Sequence, residues 1–331
     1  MATQPPIQFH RYTQSDALQL FPALLAPHLP LSNPIYNRLQ SPLNTPSRHC
    51  LFAASFPPES LPSSLKPSSQ ENNDNSPASP SSEPFTILFT DRSRTTESQI
   101  WLFSSLLTHS TLTSSQTLTL KSQIKSAISF ILTTAIPEAP GWPFSPILRF
   151  AAVHEPIAKL IQQIYGDAVE YLTWWNVWVL SIHTLKPTAV RGSLPEGYTT
   201  SRVPESQIHK VVSTSSIPRN PETLKRQANI CILDPEKEMV AWAYIGVDGS
   251  LATLYVEPAY RGMGFAKVVA RGLLRGAEGG MFADLGVRGS GWCHADVGEG
   301  NGGSEGVMGG LGARVGWRCA YLRVNGELVK D

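Results

Sequence analysis

The segment Leu251–Ala266, LATLYVEPAYRGMGFA, carries the residues best suited to chemistry. An apolar run expected as a strand ends at Val256, and Pro258 closes its ladder because proline has no N–H to give. Arg261, Gly262, Met263, Gly264, Phe265 and Ala266 then open a helix. Gly262 and Gly264 remove the side chains that would keep a ligand off the backbone. The first N–H groups of a helix have no partner inside it, and the helix dipole adds positive potential there. Such a place binds phosphate or pyrophosphate. Ala266 is small where the helix must pack close to its sheet.

Two other glycine patterns compete for attention. Gly298, Gly300 and Gly303 form G-x-G-x-x-G after an expected strand. A dinucleotide fold would then need an acidic residue about 20 positions on and several more strands. Only one expected strand follows, so the pattern fails. Gly302-Gly303-Ser304-Glu305-Gly306 fits the G-x-S-x-G nucleophile elbow, but that fold places its histidine after the serine. The last histidine is His294, so the order is wrong. Ser304 is better read as the N-cap of the last helix or as a ligand contact.

The ordered string Val256, Pro258, Tyr260, Arg261, Gly264, Ala266 resembles the coenzyme-A-binding loop of the GNAT superfamily of N-acetyltransferases. HADV at His294–Val297, Asn301-Gly302-Gly303-Ser304, Leu311-Gly312 and GWRCAYLRV are similar to the distal half of that fold. The resemblance is closest to the glycine N-acyltransferase-like branch, which carries a second, degenerate acyltransferase-like domain in front. It covers residues 197–331 by motif and residues 1–196 only by element order. It implies that backbone groups of Leu254, Tyr255 and Val256 meet the pantetheine arm of acetyl-CoA, the cosubstrate. Arg261–Ala266 would take the pyrophosphate, with Asn301 and Ser304 beside the pantetheine. It implies a splayed sheet, open between the strands that end at Val256 and Val297.

Acyl transfer to an amine needs a base, an oxyanion donor and protonation or stabilisation of the leaving thiolate. The oxyanion donor is expected to be a backbone N–H near Tyr255 or Val256. The family often starts its central strand with a glutamate, and that place holds Ser250 here. Asp248 lies two residues earlier, and reads either as a base acting through water or as part of an Asp-Gly turn. His294 and Asp296 alternate along one strand and so share a face. One of them lines the acceptor site, or His294 is a satisfied core histidine. Glu257 reads as a surface residue. Many GNAT enzymes place a tyrosine seven residues after the motif asparagine; here that position is Met308, which has no proton to donate. Tyr255 and Tyr260 are the alternative acids. Otherwise the thiolate leaves unassisted.

These residues must be positioned by strands and helices whose patterns repeat. The first part reads as strands at 48–56, 85–90 and 99–107, a helix at 117–134, a strand at 148–153, a helix at 157–165 capped by Gly166, and a strand at 171–182. The second part reads as an entry strand at 197–203, short helices at 206–212 and 221–227, strands at 229–233, 239–246 and 251–256, a helix at 262–276, a strand at 292–297, a helix at 304–311 and a strand at 317–324. Beyond the entry strand the order β-β-β-α-β-α-β occurs twice, a duplication of architecture without duplication of sequence. The fold class is α/β (α+β): a tandem acyl-CoA N-acyltransferase (GNAT) fold with a mixed, mostly antiparallel splayed sheet. Residues 1–195 form the degenerate copy and 196–331 the acyl-CoA-binding copy. Residues 57–84 lack large apolar side chains and read as a disordered insert. Trp174, Trp175 and Trp178 either pack between the domains or wall an acceptor pocket, and Leu31–Gln40 reads as a helix over an acceptor channel.

Composition agrees with two backbone problems. Residues 1–200 hold 22 of the 27 prolines and four of the 25 glycines. A formal charge of +1 with no basic run excludes a general nucleic-acid field. No apolar stretch suits a signal or a membrane span, and no metal site is suggested. Cys50, Cys231, Cys293 and Cys319 lie far apart and are expected as buried free thiols, which places the chain in the cytoplasm or nucleus. The expected partners are acyl-CoA and an amine acceptor. A non-catalytic acyl-CoA-binding or scaffold protein is the alternative.

Overall fold

The computed structural model describes residues 7–44, 49–58, 83–92, 97–134, 147–185, 194–287 and 289–329. Nearly all of the expected insert at 57–84 lies outside the described residues. Strand β1 (His10–Tyr12), helices α1 (Gln14–Leu25) and α2 (Asn33–Leu39), strands β2 (Cys50–Ala54), β3 (Thr86–Asp91) and β4 (Ile100–Ser104), helix α3 (Ser114–Thr133), strand β5 (Ile147–His154), helix α4 (Glu155–Tyr165) and strand β6 (Val169–Ser181) make the first half. The second half runs β7 (Thr199–Ser201), α5 (Ile208–Thr214), α6 (Pro221–Lys225), β8 (Asn229–Leu233), β9 (Met239–Ile245), β10 (Leu251–Val256), α7 (Phe265–Glu278), β11 (Trp292–Val297), α8 (Gly302–Leu311) and β12 (Arg314–Asn325). Each half has the order β-α-α-β-β-β-α-β-α-β.

The repeat is therefore longer than the expected one, because β1 and α1 belong to it. Strand β1 is too short to show alternation. Helix α1 hides behind Pro22, yet it is built normally. The Thr13 side chain accepts from the Asp16 N–H at its start, and Ala17, Phe21, Leu24 and Leu25 form one buried stripe. The entry strand of the second half shrinks from 197–203 to Thr199–Ser201. Helix α7 starts at Phe265 rather than Gly262, because Gly262 and Gly264 hold φ of 82° and 84°, outside the helical region. Helix α8 starts at Gly302, and its N-cap is Asn301, not Ser304. The Asn301 side chain accepts from the Ser304 N–H at 3.2 Å, so Ser304 is inside the first turn.

The chain forms two compact units that do not follow a division at residue 195. One holds Met1–His28, Thr45–Thr173 and Ala320–Asp331; the other holds Leu29–Asn44 and Trp174–Cys319. Two long strands cause this. Strand β6 begins in one unit and ends in the other, and β12 does the reverse. In the first unit β1, β2, β3 and β4 are antiparallel neighbours, and β5 joins β4 in parallel. In the second unit β10-β9-β8-β7 form an antiparallel sheet, while β11 pairs antiparallel with Asn176–Ser181 of β6. The core of the second unit gathers Phe265, Val269, Leu273 and Leu274 of α7 against Ile230, Ile232, Ala241 and Ala243 of the sheet. Cys293, Ala295 and Val297 of β11 join it, with Met308 and Leu311 of α8. All four cysteines are free and buried, as expected. Among the described residues no helix is long and apolar enough to cross a membrane.

Candidate functional site

Strand β10 is an edge of the four-stranded sheet, and its outer side faces no strand of that sheet. It touches β11 by a single parallel bridge, Ser250 to His294, at the start of both strands. From there the two belong to different sheets. The structure thus has the splay that the resemblance implied, with Leu254, Tyr255 and Val256 half-buried along one lip. A bulge shapes that lip. Ala252 pairs with Tyr244 and Tyr255 with Trp242, so three steps along β10 answer two along β9. Thr253 takes up the extra residue at φ 52°. The bulge turns Tyr255 onto Trp242, with ring centroids 4.9 Å apart.

Beyond Val256 a single 3-10 turn, Pro258–Tyr260, leads to the glycine loop. Arg261 donates through Nε to the Val256 carbonyl at 3.2 Å, and its guanidinium lies 5.7 Å from the centre of the Tyr255 ring. Gly264 is the N-cap of α7 and brings no side chain to it. Among the described residues, the N–H groups of Gly262, Met263, Gly264, Phe265 and Ala266 have no partner. A Cβ at Gly262 or Gly264 would meet nothing within 4 Å, so open space lies in front of these donors. Five N–H groups at a helix start, with Arg261 one residue before Gly262 and three before Gly264, are an arrangement able to receive an anion.

The first half shows the same station closed. Helix α3 follows β4 as α7 follows β10, but Thr113 and Gln116 cap it reciprocally. The Gln116 N–H donates to Thr113 Oγ1 at 3.2 Å, and the Thr113 N–H to Gln116 Oε1 at 2.9 Å. Two of its donors are spent on side chains, so the start of α3 is closed where the start of α7 is open.

Asp248 and His294, expected as separate candidates, form one buried pair. His294 Nε2 lies 3.4 Å from Asp248 Oδ2, with side-chain exposures of 0% and 6%. Asp248 also accepts from Ser250, from its N–H at 3.1 Å and from its Oγ at 2.7 Å. Burial alone would raise the Asp248 pKa; the bonds from His294 and Ser250 outweigh it and hold the carboxyl at about 2. Burial lowers the proton affinity of His294, and the Asp248 carboxylate more than offsets this. Ser250, at the place where the family often has glutamate, thus serves the carboxylate of its neighbour. Neither Asp248 nor His294 is open to an incoming amine.

Asp296 is two residues along β11 on the face of His294, and is half-buried rather than buried. It stands opposite Val177 of β6. Alternation puts Trp175 on that same face, and its ring packs against Gly298. Trp178, on the other face, packs into the core of α7 and α8. Met308 is buried in that core as well, so its thioether is a packing group. The Tyr260 hydroxyl lies 3.5 Å from Asp234, and burial first, then its neighbours, raise its pKa.

The expected helix near 31–40 is α2, and it carries what residue types alone did not mark. Asn33 reaches His294, with 2.9 Å between its amide nitrogen and Nδ1. Asparagine after a leucine and serine carries no signal of its own, so no local pattern could have found this residue.

Residues 6–189, more than half the chain, match the family described as the acyl-CoA N-acyltransferase verG N-terminal domain. No curated protein matches. Among solved structures, a Drosophila protein is 12% identical with a TM-score of 0.62, covering 96% of this chain and 98% of that one. A GCN5-related N-acetyltransferase from Sphaerobacter thermophilus is 12% identical, with a TM-score of 0.45 and coverage of 97% and 96%. A tandem GNAT protein from the clavulanic acid biosynthesis pathway is 11% identical, with a TM-score of 0.47 and coverage of 98% and 99%. The family match falls in the half where the sequence offered only element order, and the open anion receptor falls in the other. By that match the chain belongs to the family of the acyl-CoA N-acyltransferase verG N-terminal domain.

Proposed function

We propose that the protein transfers an acetyl group from acetyl-CoA to an amine by direct attack in a ternary complex. The observation that carries this reading is the uncapped Gly262–Ala266 loop, placed where β10 parts from β11. The pyrophosphate takes the loop N–H groups and Arg261. The pantetheine lies along Leu254–Val256 like an added strand, with Asn301 and Ser304 at its other side. The thioester then sits between the strands, where a backbone N–H near Tyr255 or Val256 stabilises the oxyanion.

Asp296 takes the proton from the amine, because of the candidates Asp248, His294 and Asp296 it alone is not buried. Asp248 and His294 hold the strands behind it. Trp175 walls the acceptor side. A cytoplasmic or nuclear location fits four buried free thiols. By motif the second half resembles the glycine N-acyltransferase-like branch.

Titration calorimetry with acetyl-CoA, and thiol release from acetyl-CoA on a panel of amines, test the reading. No binding to the purified protein would end it. One observation favours a second reading, a non-catalytic acyl-CoA-binding protein: the position of the family's acid is Met308, packed in the core. Binding together with release of free thiol on any amine eliminates that option, and release lost in Asp296→Asn assigns the base.

A further inference from the structure

A hydrogen-bond chain of fixed direction runs from α2 to the root of the proposed cleft. Its orientation starts at a backbone carbonyl, which only accepts. The Asn37 side chain lies 3.0 Å from the Asn33 carbonyl oxygen, so the Asn37 group there is its NH2. That same Nδ2 donates to Asn33 Oδ1 at 2.9 Å. Ser290 Oγ lies 2.7 Å from Asn33 Oδ1 and 3.0 Å from the Trp292 carbonyl, and shares its single hydrogen between them. The Asn33 oxygen is therefore fixed, and its NH2 faces His294 Nδ1 at 2.9 Å. Nδ1 must accept, so the ring proton sits on Nε2, which faces Asp248. The far end is fixed too, because the Ser250 N–H can only donate and it binds Asp248. Asp248 pulls protons toward the ring, but a second proton on Nδ1 would meet the amide hydrogens of Asn33.

The chain fastens the point that matters for the cleft. Ser250 and His294 make the bridge between β10 and β11, and among the described residues the strands pair nowhere else. Ser250 donates to Asp248, and His294 Nε2 stands 3.4 Å from the same carboxylate, an ion-pair distance. We propose that Asn33 is a positioning residue for the acyl-CoA cleft: it holds His294 as the Nε2–H tautomer, which keeps β10 and β11 joined at the root while they part at Val256 and Val297. The proposal rests on the acyl-CoA reading for its ligand and on the hydrogen bonds alone for its tautomer. It makes a helix of the first sequence half part of the coenzyme site of the second.

The test uses the full chain with 15N-labelled histidine at pH 8, together with acetyl-CoA calorimetry and thermal melts. In the wild type the His294 nitrogen shifts should report one proton, on Nε2. Asn33→Ala removes the donor, so His294 should lose its single tautomer and acetyl-CoA affinity should fall about tenfold or more, the scale of one unpaired buried group. Asn33→Asp still accepts from Ser290 and Asn37, and its second oxygen accepts from Nδ1. His294 should then read as doubly protonated, with affinity within about threefold of wild type, well inside that scale. A wild-type proton on Nδ1 overturns the proposal without any variant. So does a folded Asn33→Ala protein that binds as tightly as wild type. Should Asn33→Ala not fold, Asn33→Asp decides alone: a neutral ring, or tenfold weaker binding at an unchanged melting temperature, sinks the idea. Absence of acetyl-CoA binding in the wild type strikes the function, and the tautomer still judges the hydrogen-bond chain.

Discussion

Gly264 holds φ 84° with open space in front of it. A side chain there is strained by about 1–2 kcal/mol and stands where a phosphate would approach the backbone. Gly264→Tyr should therefore melt only a few degrees lower but lose acetyl-CoA binding by at least about tenfold, as read by calorimetry. Asp248 gives a second outcome at this scale. Its carboxyl is held at about 2 in the folded protein, below the value of about 3.9 for an unfolded aspartate. A depressed carboxyl stabilises the fold above the unfolded value and loses that stability as pH falls through the folded one. Asp248 should thus contribute roughly 2 kcal/mol at neutral pH, lost between about pH 4 and pH 2. Melts of wild type and Asp248→Asn should differ at pH 6 and converge toward pH 2. The two curves running parallel throughout would show that the pair is not what holds Asp248 ionised.

The elements explain how a few residues become a site. Strand β10 needs its bulge to present Leu254–Val256 to the gap, and the bulge needs Thr253 at φ 52°. Thr253→Pro cannot follow, because proline fixes φ near −65°, and should cost about 3 kcal/mol or more along with acetyl-CoA binding. Thr253→Gly suits a positive φ and should keep binding, with a melting temperature near that of wild type. The bounds of β8, β10 and β11 were legible to the residue, because each is an apolar run closed by a polar turn, a proline or a glycine. Strand β1 and helix α1 were not: three residues show no period, and Pro22 masks a regular stripe. The N-cap of α8 went to Asn301 over Ser304 for a geometric reason, since Gly302 and Gly303 are able to take helical dihedrals.

At the scale of the whole chain, the sequence halves and the compact units differ. Strand β11 has β6 as its sheet neighbour, and β6 belongs to the first half. A fragment from Gly197 to Asp331 would lack both β6 and α2. It would leave the ladder of β11 unpaired and His294 without Asn33. That fragment should fail to give a cooperative melt and should not bind acetyl-CoA, whereas the full chain should do both. A well-folded, coenzyme-binding fragment would show that the second half is self-sufficient.

Local chemistry was written in the sequence: the anion loop, the periods of most elements, the repeat of their order and the four buried thiols. Each depends on neighbours within one turn or one strand, where residue type and spacing carry the information. Tertiary structure alone decided that Asp248 meets His294, that Asn33 reaches His294 across 261 residues, and that β6 completes the sheet of β11. Such partners are set by which buried polar groups and which open strand edges find each other once the core has formed, and no local spacing records that choice.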